Sequence, residues 1–136
     1  MRIIIDASVA LKWVFDEPES DHAIALRDDQ LIAPVLWLIE AANAVWRRVR
    51  LGDITPEQAS VRLTELRNAP IASLPVESYL DAALQFAIEL NHPVYDCLYL
   101  AVAIQHQTHV VTADRRFAAL ADRRPNLARL VRLLGA

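Results

Sequence analysis

Two short apolar runs that each close on an aspartate limit what this chain can fold into. Ile3-Ile4-Ile5 leads directly into Asp6, and His109-Val110-Val111-Thr112 leads through Ala113 to Asp114. β-Branched residues in unbroken runs, rather than alternating with polar ones, suit strands buried on both faces, as parallel sheets require. Each run is followed by a helical pattern. Strands that alternate with helices predict an α/β fold, a three-layer α/β/α sandwich around a mainly parallel central sheet of about five strands. Ligands of such sheets bind beyond the carboxyl ends of the strands, where Asp6 and Asp114 fall.

The remaining elements follow from caps and prolines. Ser8 to Phe15 reads as a short helix closed near Pro18, and Pro18-Glu19-Ser20 starts a second helix to about Asp29. Leu31 to Ala33 is a short strand, and Pro34 suits the first turn of a long helix ending near Gly52. Thr55 caps a helix that has Pro56 at its first position and runs to about Asn68. Ile71 to Leu74 is a strand between Pro70 and Pro75. Helices over Ser78–Leu90, Asp96–Gln107 and Asp114–Ala121 follow, and Leu127–Leu133 closes as an edge strand. The helix pair within Val35–Asn68 has the pattern of a projecting clip.

At 136 residues, with 54% hydrophobic and 23% charged residues, the chain supports one buried core, so a single domain over 1–136 is expected. The apolar stretch at the amino terminus is too short for an export signal, and Pro34 and Glu40 interrupt the longer one. With one cysteine, Cys97, no intramolecular disulfide forms, and a cytoplasmic setting is expected. The formal net charge of −3 excludes coating of nucleic acid by bulk electrostatics. It does not exclude a nuclease, because carboxylates that bind cations lower net charge while the bound ion reverses the local field. Two glycines cannot build a phosphate-cradling loop, which removes Walker and Rossmann chemistry.

The acids carry the functional reading. Asp6, Asp96 and Asp114 each precede a predicted helix, and each alone is equally well a helix cap. Glu40 is different: it lies mid-helix in Val35-Leu36-Trp37-Leu38-Ile39-Glu40-Ala41-Ala42-Asn43, where no cap is needed and an unpartnered carboxylate is costly. Glu40, Asn43 and Arg47 share one stripe, so a buried Glu40–Arg47 pair is the structural alternative. If the four acids converge, each pair at about 5 Å repels by roughly 3 kcal/mol at an effective dielectric near 20. Hard divalent cations remove that repulsion, because Mg²⁺ and Mn²⁺ take oxygen ligands. Zinc is disfavoured: His22, His92, His106 and His109 lack paired ligand spacing and read as surface or strand-end residues. Cys97, on a helix of small apolar residues, reads as core.

Taken together, Ile4-Ile5-Asp6-Ala7-Ser8, Glu40 with Asn43, Tyr95-Asp96 leading Tyr99-Leu100-Ala101, and Val111-Thr112-Ala113-Asp114 with Phe117 resemble the PIN-domain family over nearly the whole chain. Within it the resemblance is to the VapC-type toxins. That resemblance implies a metal-dependent endoribonuclease whose catalytic and metal-binding acids are Asp6, Glu40, Asp96 and Asp114, with Mg²⁺ or Mn²⁺ as cofactor. It places Ser8, Asn43 and Thr112 at polar positions around the acids. It also implies a homodimer and a cognate VapB-type antitoxin, with operator DNA reached only through that antitoxin. Where some members carry a further acid after the fourth, this chain has Arg115, Arg116 and Phe117. Arg115 and Arg116, with Arg47, Arg48 and Arg50, are candidate phosphate contacts. Lys12, Trp13 and Phe15 lie near the first acid, the aromatics reading as core. The implied reaction is phosphodiester hydrolysis by metal-activated water, leaving a 5′-phosphate and a 3′-hydroxyl. A non-catalytic module acting through its antitoxin complex is the rival reading. Phosphoryl transfer on an aspartate is a third, but it needs a second acid where Ser8 stands.

Overall fold

The computed structural model describes residues 2–136. Five strands form one sheet in the order β3-β2-β1-β4-β5, every neighbouring pair parallel. The strands are β1 (Arg2–Ile5), β2 (Gln30–Pro34), β3 (Ile71–Leu74), β4 (Val110–Thr112) and β5 (Val131–Leu133). Seven helices connect them: α1 (Ala7–Val14), α2 (Ser20–Ala25), α3 (Leu36–Arg50), α4 (Pro56–Arg67), α5 (Leu80–Leu90), α6 (Val94–Gln105) and α7 (Arg115–Asp122). β1 is central, and its apolar run is buried on both faces as its composition demands. Ile4 packs into the larger core with Trp37, Tyr99, Leu100 and Phe117, whereas Ile3 and Ile5 pack on the other side with Val9, Ala23 and Val111. This is the expected α/β/α sandwich.

Several boundaries differ from the sequence reading. Pro34 ends β2 instead of opening the next helix. There it pairs with Leu74 of β3, and Val35, where the backbone turns helical, donates its amide to the Leu74 carbonyl at 2.8 Å. α2 stops at Ala25 and continues as a short 3-10 turn, Leu26–Asp28. A similar turn, Glu77–Tyr79, precedes α5, and another, Ala128–Leu130, shortens the last strand to three residues. Thr55 caps α4 with Pro56 at its first position as predicted, and the Gln58 side chain reciprocates by accepting the Thr55 amide. The α3–α4 pair is not a free-standing clip: α4 packs against α1 as well as α3, and Leu66 is fully buried in the larger core. Among the described residues no helix is long and apolar enough to cross a membrane.

Candidate active site

Parallel pairing of β1 with β4, Ile4 opposite Val110 and Ile5 opposite Val111, brings the two strand-end aspartates to the same edge of the sheet. Both serve as helix caps and both still face the recess. Asp6 caps α1 by accepting the Ser8 amide at 3.1 Å, and Asp114 caps α7 by accepting the Arg116 amide at 2.9 Å. Their opposed readings, cap or site, are therefore compatible. α3 and α6 complete the enclosure: Asp6, Glu40, Asp96 and Asp114 line one recess of about 190 Å³ together with Ser8 and Tyr99. Four acids from four separate segments converge there.

Asp6 is the deepest of them and is buried. Its Oδ1 accepts the Ser8 hydroxyl and its Oδ2 the Thr112 hydroxyl, each at 2.5 Å. Thr112, fully buried, also accepts the Asp114 amide at 3.0 Å, and the Ser8 hydroxyl accepts the Ala113 amide at 2.8 Å. A small network thus ties the ends of β1 and β4 together. Burial pushes the Asp6 carboxyl up to about 6 against the hydrogen bonds from Ser8 and Thr112, and the charge of Asp114 adds to the rise.

Glu40 corrects the sequence reading in two respects. It is half-buried, on a helix whose neighbours Ile39 and Trp46 are exposed, so α3 is not enclosed on every side. Its partner is not Arg47 but Tyr99, whose hydroxyl donates to Glu40 Oε1 at 2.6 Å. Burial first, then the charges of Asp6, Asp96 and Asp114, raise the Glu40 carboxyl to about 7 despite that hydrogen bond. Tyr99 itself is held by burial and by Glu40 well above the ordinary range of a phenol, so it remains a donor. Its ring meets Phe117 edge-on at 6.0 Å.

Asp96 is not a helix cap. It lies in the first turn of α6, two residues inside a helix that starts at Val94, and its Oδ2 pairs with His92 Nε2 at 2.8 Å. His92 was expected merely at the surface. The signal for its role was present: His and Asp four residues apart meet on one face of a helical turn. Tyr99 was missed because its partner is 59 residues away in the chain, which no local pattern encodes.

The other candidates separate clearly. Asn43, exposed, lines a second recess of about 550 Å³ that shares Glu40, Asp96 and Asp114 with the first and adds Arg116. Arg115 is exposed and lines neither recess. Arg47 and Arg48 line a different pocket beside Glu17, with which Arg48 forms an ion pair while lying over the Phe15 ring. Lys12 is tied to Glu17 and to the Pro18 carbonyl, and Trp13 donates to the Ala23 carbonyl at 2.7 Å. Cys97 is core: fully buried, its thiol is pushed by burial to about 11 and is no nucleophile.

The donor set is all hard oxygen, with Glu40 Oε2, Asp96 Oδ1 and Asp114 Oδ2 outside the internal hydrogen bonds. Among the described residues no three acidic, histidine or cysteine side chains are grouped to chelate one ion by themselves. The oxygen donors themselves are of the kind that Mg²⁺ or Mn²⁺ takes, commonly through one or two carboxylates and several waters.

A family model described as the PIN domain matches residues 3–123. Over 123 residues the chain is 31% identical to Ribonuclease VapC3 of Pyrobaculum aerophilum, spanning 87% of this chain and 93% of that one. The crystal structure of PAE2754 from Pyrobaculum aerophilum matches with a TM-score of 0.70 at 29% identity, over 88% of this chain and 79% of that one. VapBC2 from Rickettsia felis, solved bound to a DNA fragment from its promoter, matches with a TM-score of 0.68 at 15% identity over 98% of each chain.

Proposed function

We propose, since this chain belongs to the PIN-domain family in its VapC-type branch, that it is a divalent-cation-dependent endoribonuclease and the toxin half of a VapBC-type pair. The observation that carries this reading is the gathering of Asp6, Glu40, Asp96 and Asp114 in one recess at the carboxyl edge of the sheet. Like charges so gathered serve no folding purpose, and the carboxyls of Asp6 and Glu40, raised first by burial and then by their charged neighbours, register the cost of holding them there. Asp6 and Asp96 would hold the cation first, with Glu40 and Asp114 acting directly or through its waters. A bound Mg²⁺ or Mn²⁺ supplies an activated water and offsets charge on the scissile phosphate.

The chain's own residues do the rest. Ser8 and Thr112 fix both Asp6 oxygens, Tyr99 orients Glu40, and His92 orients Asp96, so the acids are placed before any ligand arrives. Arg116, on the shared rim, is the cation best placed to meet a phosphate. The curated relative named a ribonuclease supports RNA as substrate, and the VapBC2 complex on promoter DNA supports an antitoxin through which this chain would meet operator DNA. Leu80, Leu84 and Ile88, exposed at a four-residue spacing on α5, support a homodimer that covers them. The reading places the protein in the cytoplasm as one domain.

Purified protein incubated with structured RNAs in Mg²⁺ or Mn²⁺ tests the proposal. Endonucleolytic fragments should appear, vanish with EDTA, and fall by a factor on the order of 10² or more in Asp96→Asn. Cleavage that survives EDTA, or an equally active and folded Asp96→Asn, overturns it.

A further inference from the structure

The larger recess beside the acids also carries groups that the hydrolysis does not use. Besides Glu40, Asp96, Asp114 and Arg116 it presents Tyr95, Ile39 and Pro93 as apolar surfaces and Asn43 as a hydrogen-bonding group, together with His92, whose Nε2 is bonded to Asp96 and whose other ring nitrogen is left for a ligand. Because the three acids belong to both recesses, whatever holds a phosphate at the acids extends its neighbouring group into this space. At about 550 Å³ it falls within the range of pockets that enclose small organic ligands.

Tyr95 stands out in it. The seven residues that follow Asp96 on α6, Cys97 through Ala103, are all buried, yet Tyr95 is 61% exposed. Packing therefore does not explain an aromatic ring at this position. The ring is also held on a rigid mount. Asn91 ends α5 in the left-handed region at φ +51°, the His92 amide donates back to the Ala87 carbonyl at 3.0 Å, and Pro93 leads straight into α6. A half-apolar ring carried on a fixed stretch of backbone suits a flat aromatic ligand, because little backbone motion is lost when the two stack.

We propose that this recess is a nucleobase subsite: the base adjoining the scissile phosphate leaves its stack, lies against Tyr95, and is edged by Asn43 and His92. The substrate strand must then be unpaired at the cut, since a base held in a duplex cannot turn into a side pocket. This inference deepens the nuclease reading and rests on it. Stacking tolerates every base, so Tyr95 supplies affinity while Asn43 and His92 supply preference among bases.

The test separates binding from cleavage. Single-stranded RNAs carrying one 2-aminopurine are bound to the wild-type protein in EDTA, where quenching of the fluorophore marks a base stacked on an aromatic ring. One position should be quenched, and Tyr95→Leu should abolish the quench and weaken binding about 5- to 100-fold, with Tyr95→Phe close to wild type. An abasic ribose at the quenched position should weaken wild-type binding equally and leave Tyr95→Leu unchanged, as a double-mutant cycle requires. Sedimentation accompanies each variant. Equal affinity of Tyr95→Leu and wild type, equal loss on the abasic RNA in both, or a loss of affinity accompanied by a changed oligomeric state each overturns the subsite. If instead wild type fails to cleave any RNA in Mn²⁺, the nuclease reading itself fails.

Discussion

Replacing Asp6 with asparagine should make the cation-free protein more stable at neutral pH while destroying its activity. Asp6 is buried and its carboxyl lies at about 6 instead of 3.8. A group whose folded pKa exceeds its unfolded value binds its proton more tightly when folded, so its charge opposes folding as pH rises. At about 1.4 kcal/mol per pKa unit the full shift is worth about 3 kcal/mol, of which about 2 kcal/mol is lost between pH 4 and pH 8 through Asp6 alone, because the unfolded carboxyl already titrates near pH 4. More than half of that falls between pH 5 and pH 8. Glu40, raised to about 7, acts in the same direction, whereas His109, lowered by burial and by Arg132, acts in the opposite one. Subtracting variant from wild type cancels the His109 contribution, whereas removing the Asp6 charge also relieves Glu40 and so adds to the gain in the same direction. The amide cannot accept from Ser8 and Thr112 through two oxygens, which costs about 1 kcal/mol, but that cost does not vary with pH. Urea unfolding in EDTA at half-unit pH steps should therefore show Asp6→Asn gaining on wild type by about 2 kcal/mol or somewhat more from pH 4 to pH 8. In melting temperature the gain is about 8 °C. A difference that stays flat across this range, or that moves in favour of wild type, refutes the account of Asp6 as a carboxylate ionised against its surroundings.

Mn²⁺ should reverse the penalty: at a hundredfold excess over its dissociation constant it should stabilise wild type at pH 8 by about 2.7 kcal/mol, with Asp6→Asn and Asp96→Asn gaining far less. Equal gains in all three by calorimetry would place the ion elsewhere. Tyr99→Phe keeps the ring against Phe117 but removes the donor to Glu40. It should cost about 1 kcal/mol in urea unfolding and weaken Mn²⁺ binding in titration calorimetry, and unchanged Mn²⁺ affinity would show that Tyr99 merely packs.

What was legible in the sequence was whatever a short window encodes. The unbroken Ile3–Ile5 and Val110–Thr112 runs announced central strands, and Asp6 and Asp114 followed them onto one edge because parallel strands end together. Glu40 drew attention as a carboxylate inside an apolar helix, and the family resemblance joined it and Asp96 to these two as one site. Pro34 was misplaced because proline's fixed φ suits both the first turn of a helix and the end of a strand, and only its pairing with Leu74 decides. The helix carrying Asp96 was begun at that residue because Val94 and Tyr95 carry no helix-start signal, yet both already belong to α6, which rules out the cap alternative. The partners that aim the acids divide in the same way. His92 lies one helical turn from Asp96 and was within reach of the sequence, while the Tyr99–Glu40 bond joins two helices by tertiary packing alone.

The central place of β1 has a consequence for how such a protein is born. Its first residues are translated first, but the neighbour that completes their edge, β4, arrives more than a hundred residues later, and Thr112 is the last of the hydroxyls to reach Asp6. No ribosome-bound fragment ending short of that threonine can assemble the recess, however well its earlier helices have formed. Synthesis itself therefore withholds the assembled recess until β4 has been made.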